Sequence, residues 1–125
     1  MKYLIDTNLW IDAMSGKIPA IELLHTAVEA EWSGYSAITR LELFSYPALK
    51  KEDEKKISDL LNYFTEIDVT SAVIDRTILL RQANRIKVPD ALIAATALLI
   101  GASLATRNVD DFKGISLDII NPFDT

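Results

Sequence analysis

The chain has no cysteine and only one histidine, His25. The first absence removes disulfides, thiolate metal sites and cysteine nucleophiles, and agrees with a reducing compartment such as the cytoplasm. The second leaves one imidazole for a Ser/His/Asp triad, and no GxSxG turn exists to present a serine to it. His25 therefore reads as a half-exposed residue beside the apolar stripe of a helix. Glycine and proline are scarce, four of each, and with no low-complexity tract there is nothing to suggest disorder. The most apolar later stretch, residues 91–105, is interrupted by Gly101 and Ser103 and falls short of the roughly 18 residues that a membrane span needs. The first residues lack a basic region followed by a long apolar run, so no secretory leader is expected. Cations are short as well: 13 Lys and Arg stand against 18 Asp and Glu, a net charge of −5. The molecule as a whole lacks the basic character common in nucleic-acid binders, and any polyanion it handles must be met locally.

What is present suits one compact domain spanning residues 1–125, with 50% hydrophobic residues to fill a single core. Residues 2–5 read as a short buried strand, followed by a short helix from Asn8 that Ser15 and Gly16 stop. Pro19 opens a second helix whose apolar stripe is Ile21, Leu24, Val28 and Trp32. Gly34 breaks that pattern and residues 35–38 look like a second strand. Thr39 then caps a helix running to Pro47. The charge run at 50–56 reads as the solvated start of a helix carrying Ile57, Leu60, Leu61 and Phe64. Residues 66–69 suggest a third strand, 71–86 a helix, and Pro89 opens a helix that is apolar nearly all round and so deeply packed. Residues 103–106 and 117–120 complete the strands. Strands alternating with helices imply an α/β fold, an open parallel sheet covered on both faces. Such sheets gather functional groups at the carboxyl ends of their strands, which brings Asp6 and the Thr106–Arg107–Asn108 stretch to one rim.

Acids stand at four element boundaries: Asp6, Glu42, Asp90, and the pair Asp110 and Asp111. Each has a purely local role open to it. Asp6 can cap the next helix beside Thr7 and Asn8, and Thr39 with Glu42 has the spacing of a capping box. Asp90 suits a first helical turn, and the Asp pair suits a turn. Brought together on one rim, carboxylates about 5 Å apart would repel by roughly 3 kcal/mol per pair at an effective dielectric near 20. Such a cluster has to be protonated, paired with cations, or holding a metal. With oxygen ligands only, the metal would be a hard ion such as Mg²⁺ or Mn²⁺, and its natural chemistry is phosphodiester hydrolysis by a bound water.

The segments YLIDTNLWID at 3–12, ITRLELF at 38–44, VPDALIAATAL at 88–98 and LATRNVDDFKGI at 104–115, in this order and at these distances, resemble the PIN-domain ribonucleases. Among these they are similar to the short VapC-type toxins of toxin–antitoxin pairs. The resemblance implies a three-layer α/β/α fold with a central parallel sheet, a Mg²⁺ or Mn²⁺ cofactor, an RNA substrate, an antitoxin partner and a homodimer. It makes Asp6, Glu42 and Asp90 the principal acids. The fourth position falls either on Asn108, which could ligate through its amide oxygen, or on Asp111. On this pattern Asp6 and Asp90 hold the main ion, while Glu42 and Asp111 place a second ion or the attacking water. Thr7, Asn8 and Thr106 stand where they can orient these groups, and Arg40, Lys87 and Arg107, near the acids in sequence, are candidates to meet the RNA backbone. The segments LLHTAVEAEW and ELFSYPAL are candidate partner surfaces, or else inward helix faces. Two alternatives stand beside this reading: a phospho-accepting receiver domain, for which Asp68 and Lys87 are poorly placed, and a non-catalytic module that keeps the fold. A dinucleotide enzyme lacks its glycine-rich loop.

Overall fold

The computed structural model describes residues 1–124. Five strands, β1 (Lys2–Ile5), β2 (Trp32–Ser36), β3 (Thr65–Ile67), β4 (Ser103–Ala105) and β5 (Ile119–Ile120), form one all-parallel sheet in the order β3-β2-β1-β4-β5. Six helices cover it: α1 (Thr7–Met14), α2 (Ile18–Val28), α3 (Ala37–Phe44), α4 (Lys51–Leu61), α5 (Ser71–Ala83) and α6 (Val88–Ile100). The period-two alternation of β1 assigns the layers. Tyr3 and Ile5 face a core built with Leu9, Trp10, Leu24, Leu43, Ile57 and Leu61, whereas Leu4 faces the opposite core with Ile93, Ala94, Ala97, Leu104 and Phe112. The three-layer α/β/α expectation holds. Trp10, 1% exposed, anchors the first core; its indole Nε1 donates to the Ile5 carbonyl at 3.3 Å, and its ring meets Tyr35 and Phe64 edge-on.

The chain winds outward from β1 to β2 and β3, then crosses back through α5 and α6 to lay β4 on the other side of β1. The order of strands therefore reverses between β1 and β4, and a crevice opens past their carboxyl ends. Helix α6 closes that crevice from one side. Its alanines at 91, 94, 95 and 97 are all fully buried, which lets it lie close to the sheet, and Gly101 ends it in the left-handed region at φ 66°.

Three local expectations are corrected. Trp32 begins β2 instead of ending the α2 stripe, and the buried face of α2 is Ala20, Leu23, Leu24 and Ala27, with small residues that allow close approach. Ile21, Val28 and His25 line an apolar surface groove with Met14 and Tyr63. Gly34 does not break the pattern; it lies inside β2, where an added Cβ would run into the Thr65 carbonyl oxygen and stand 2.5 Å from the Trp32 ring. The cap of α3 is Ser36, whose Oγ accepts from the Ile38 N–H at 3.2 Å, while Thr39 is fully buried within the helix. Of the two candidate partner surfaces, each has exposed apolar side chains: Val28 on α2, and Phe44 and Tyr46 on and after α3, with Leu41 exposed just before the second segment. Helix α5 adds Ile74, Ile78 and Leu79, which the sequence reading did not single out.

Candidate active site

Asp6 follows β1 directly and is only 5% exposed, so its charge needs local support. Its backbone N–H donates to the Ala105 carbonyl at 2.9 Å, which continues the β1/β4 ladder one step beyond the strands. Its side chain caps α1: Oδ1 accepts from the Thr7 N–H at 2.8 Å. Oδ2 accepts from the Thr106 hydroxyl at 2.8 Å and from Asn8 Nδ2 at 3.0 Å. The Thr106 oxygen in turn accepts from Asn8 Nδ2 and from the Asn108 N–H, both at 3.1 Å, and so uses its one donor and two acceptor sites. Burial raises the Asp6 carboxyl above its ordinary range; the bonds from Thr106 and Thr7 oppose that rise, and the charge of Glu42 adds to it.

Glu42 projects from α3 towards the first turn of α1. The Thr7 hydroxyl donates to Glu42 Oε1 at 2.8 Å and lies 3.0 Å from the Thr39 hydroxyl, which is left to donate to Thr7. The threonine–glutamate spacing thus serves a contact between helices, and the reciprocal capping box is absent because Ser36 holds the cap. Asp90 sits in the first turn of α6 behind Pro89. Its carboxyl is pushed up to about 6, first by burial and then by the charges of Asp111, Asp6 and Glu42, with Lys87 opposing. Asp111 is exposed on a 3₁₀ turn, Val109–Phe112, pinned by the buried ring of Phe112. The charges of Asp111, Asp6 and Glu42 thus bear on Asp90, and that of Glu42 on Asp6, which itself ends β1 where the strand order reverses.

The flanking residues divide. Thr7, Asn8 and Thr106 all contact the acids as described. Arg40 pairs with Glu66, and Arg107 Nε donates to Asp12 Oδ2 at 2.7 Å, so both guanidiniums are engaged. Lys87, exposed, enters no salt bridge among the described residues. Asn108 lies at the site through its backbone bond to Thr106. One participant escaped the sequence reading: Asp12, 3% exposed on α1, which also meets Lys17 Nζ at 3.4 Å. Asn8 works beside it, since its Oδ1 accepts from the Arg107 N–H at 3.0 Å. Two bonds thereby hold the loop after β4 against α1. The only sequence signal for Asp12 is that it is the lone charged residue of α1.

The donor set suits a hard cation, because every available side-chain donor in the cluster is oxygen and like charges raise Asp90. Among the described residues no three acids stand close enough to clasp one ion together.

Residues 3–116 match the model of the PIN domain. No curated protein matches the chain. Among solved structures it is similar to a toxin–antitoxin complex from Klebsiella pneumoniae, with 34% identity, 98% of this chain and 99% of that chain covered, and a TM-score of 0.85. It is also similar to VapBC2 from Rickettsia felis bound to a promoter DNA fragment, at 25% identity with 97% and 98% covered and a TM-score of 0.83. VapBC-1 from nontypeable Haemophilus influenzae is similar at 25% identity, with 98% of each chain covered and a TM-score of 0.77. The receiver alternative falls here, since its family orders the strands 2-1-3-4-5 and this sheet runs 3-2-1-4-5. The chain belongs to the PIN-domain family and is of the VapC toxin type.

Proposed function

We propose that the chain is a Mg²⁺- or Mn²⁺-dependent endoribonuclease that hydrolyses RNA phosphodiester bonds, and that it is the toxin of a type II toxin–antitoxin pair in the cytoplasm. One observation supports this reading most: buried Asp6 ends β1 where the strand order reverses, and Glu42 reaches the same rim through the Thr7 hydroxyl at 2.8 Å, while the charges of Asp111, Asp6 and Glu42 all raise Asp90. Asp6 and Asp90 are the ligands of the principal ion. Glu42 and Asp111, with the amide oxygen of Asn108, place a second ion or the attacking water. When bound, the ion supplies charge stabilisation at the scissile phosphate and a water of lowered pKa. The protein supplies orientation. Thr106 and Asn8 fix Oδ2 of Asp6, and Thr7 fixes Oε1 of Glu42, so neither carboxylate has to reorganise during the reaction. Lys87 meets the RNA backbone, whereas Arg40 and Arg107 reach it only by sharing their guanidiniums with Glu66 and Asp12.

The cognate antitoxin and a second copy of the chain are the proposed protein partners. The toxin–antitoxin neighbours support the first, and the exposed apolar side chains of α2, α3 and α5 support partner contacts in general. The deciding experiment is cleavage of single-stranded RNA by the purified chain with Mg²⁺ or Mn²⁺, against chelator and against Asp6→Asn and Asp90→Asn. Cutting that needs metal and is lost in both variants is expected. Cutting that survives in both places the chemistry elsewhere, and no cutting by the unaltered chain favours a non-catalytic binding module.

A further inference from the structure

Between Asp75 and Asp90 the chain carries Arg76, Arg81, Arg85 and Lys87 and no acid, in a molecule whose net charge is −5. Arg81, Arg85 and Lys87 are exposed and line one shallow depression with Asn84 and Ile86, at the turn from α5 to α6. Arg81 Nε donates to the Ile86 carbonyl at 3.1 Å, which fixes the turn. A second segment closes on the same place. Asn84 Oδ1 is 3.3 Å from where a Cβ on Gly114 would stand, so the loop bearing exposed Lys113 lies against this turn. Among the described residues none of Arg81, Arg85, Lys87 and Lys113 enters a salt bridge. The two lysines also border the acids in sequence: Lys87 precedes Asp90 by three residues, and Lys113 follows Asp111 by two.

We propose that Arg85, Lys87 and Lys113 form a cationic track that holds the phosphate backbone of single-stranded RNA on the α5–α6 side of the carboxylate cluster. This rests on the nuclease reading above. A strand approaching the crevice meets four carboxylates that repel it, and the other two arginines near the site are occupied by acids of their own. On the α5–α6 flank, cations without protein partners can exchange their counterions for phosphates, which is the main source of affinity for a nucleic-acid backbone. Lys87 is the N-cap residue of α6 and Asp90 lies in the first turn of the same helix, so this flank borders the cluster. An acidic protein segment would meet the same cations, and the test separates the two.

The test uses the full chain and a fluorescent single-stranded RNA in chelator, where nothing is cut, with anisotropy read from 50 to 200 mM salt. For single strands, log K falls with log salt by about 0.7 per phosphate contact. The variant Arg85→Gln/Lys87→Gln/Lys113→Gln is expected to lower that slope by about 2 and to weaken binding at least about tenfold at 50 mM salt. Lys51→Gln/Lys56→Gln on α4 serves as the control and is expected to leave both unchanged. Both variants alter exposed side chains, and equal melting curves confirm that each folds. A triple variant that binds as tightly and as steeply as the unaltered chain overturns the track, as does an unaltered chain that fails to bind RNA at 50 mM salt. So does a loss confined to an acidic peptide such as polyglutamate. If the triple variant loses RNA affinity but the unaltered chain cuts no RNA in Mg²⁺, the track stands and the nuclease reading fails.

Discussion

Arg107 Nε lies 2.7 Å from Oδ2 of Asp12, joining residues 95 apart in the chain, and Asp12 is 3% exposed. The pair fastens the loop after β4 to α1, and the loop carries Thr106 onto Asp6. Removing the guanidinium leaves a buried carboxylate with only Lys17 beside it, at 3.4 Å. Arg107→Gln is expected to cost roughly 1–3 kcal/mol, below the range for fully buried pairs because Arg107 itself is partly exposed. Urea unfolding measures this. In the double variant with Asp12→Asn the two losses should fall short of their sum, because the uncompensated charge is gone.

The carboxyl of Asp90, pushed up to about 6, sets the sign of a pH effect. A carboxyl raised in the folded state favours folding most below its unfolded pKa near 3.8, and that contribution is lost as pH rises through about 6. In chelator, Asp90→Asn should therefore melt higher than the unaltered chain at pH 7.5, and the gap should shrink towards pH 4.5. Thermal melts across that range check it, and a gap that widens towards low pH would contradict it.

Thr106→Val keeps the shape of the side chain and removes the donor to Asp6 Oδ2, together with the acceptor used by Asn8 and the Asn108 N–H. Leaving such buried groups unpaired costs about 1–3 kcal/mol. With one of its lowering bonds gone, Asp6 should rise further, so the acidic limb of the cleavage pH profile should move to higher pH. The profile separates this effect from simple loss of stability.

Gly34→Ala should destabilise the edge of the sheet by roughly 1–3 kcal/mol, as overpacking does. The Trp32 ring could swing away, but the Thr65 carbonyl is backbone and belongs to the β2–β3 pairing. Chemical unfolding reads the cost, and hydrogen exchange at β3 should show where it falls.

The parallel architecture was legible because its strands and helices are strongly patterned apolar elements, and Asp6 and Asp90 stood out because one directly follows β1 and the other sits in the first turn of α6. Thr39 and Glu42 were harder. Their spacing suits a capping box equally well, and only the burial of Thr39 against Thr7 of another helix decides between the two uses. Trp32 continued a helical spacing by coincidence of register, while Gly34 looked like a breaker because its close approach to Thr65 comes from a distant strand. Asp12 was invisible for the same reason. A lone acid in a helix reads as a solvated face until a cation arrives from far along the chain.

The most direct test of the carboxylate cluster is calorimetric titration of the metal-free chain with Mn²⁺ at pH 7. The unaltered chain is expected to bind, with Asp6→Asn and Asp90→Asn each at least about tenfold weaker. Equal Mn²⁺ affinity in all three proteins would contradict a metal site built on these acids.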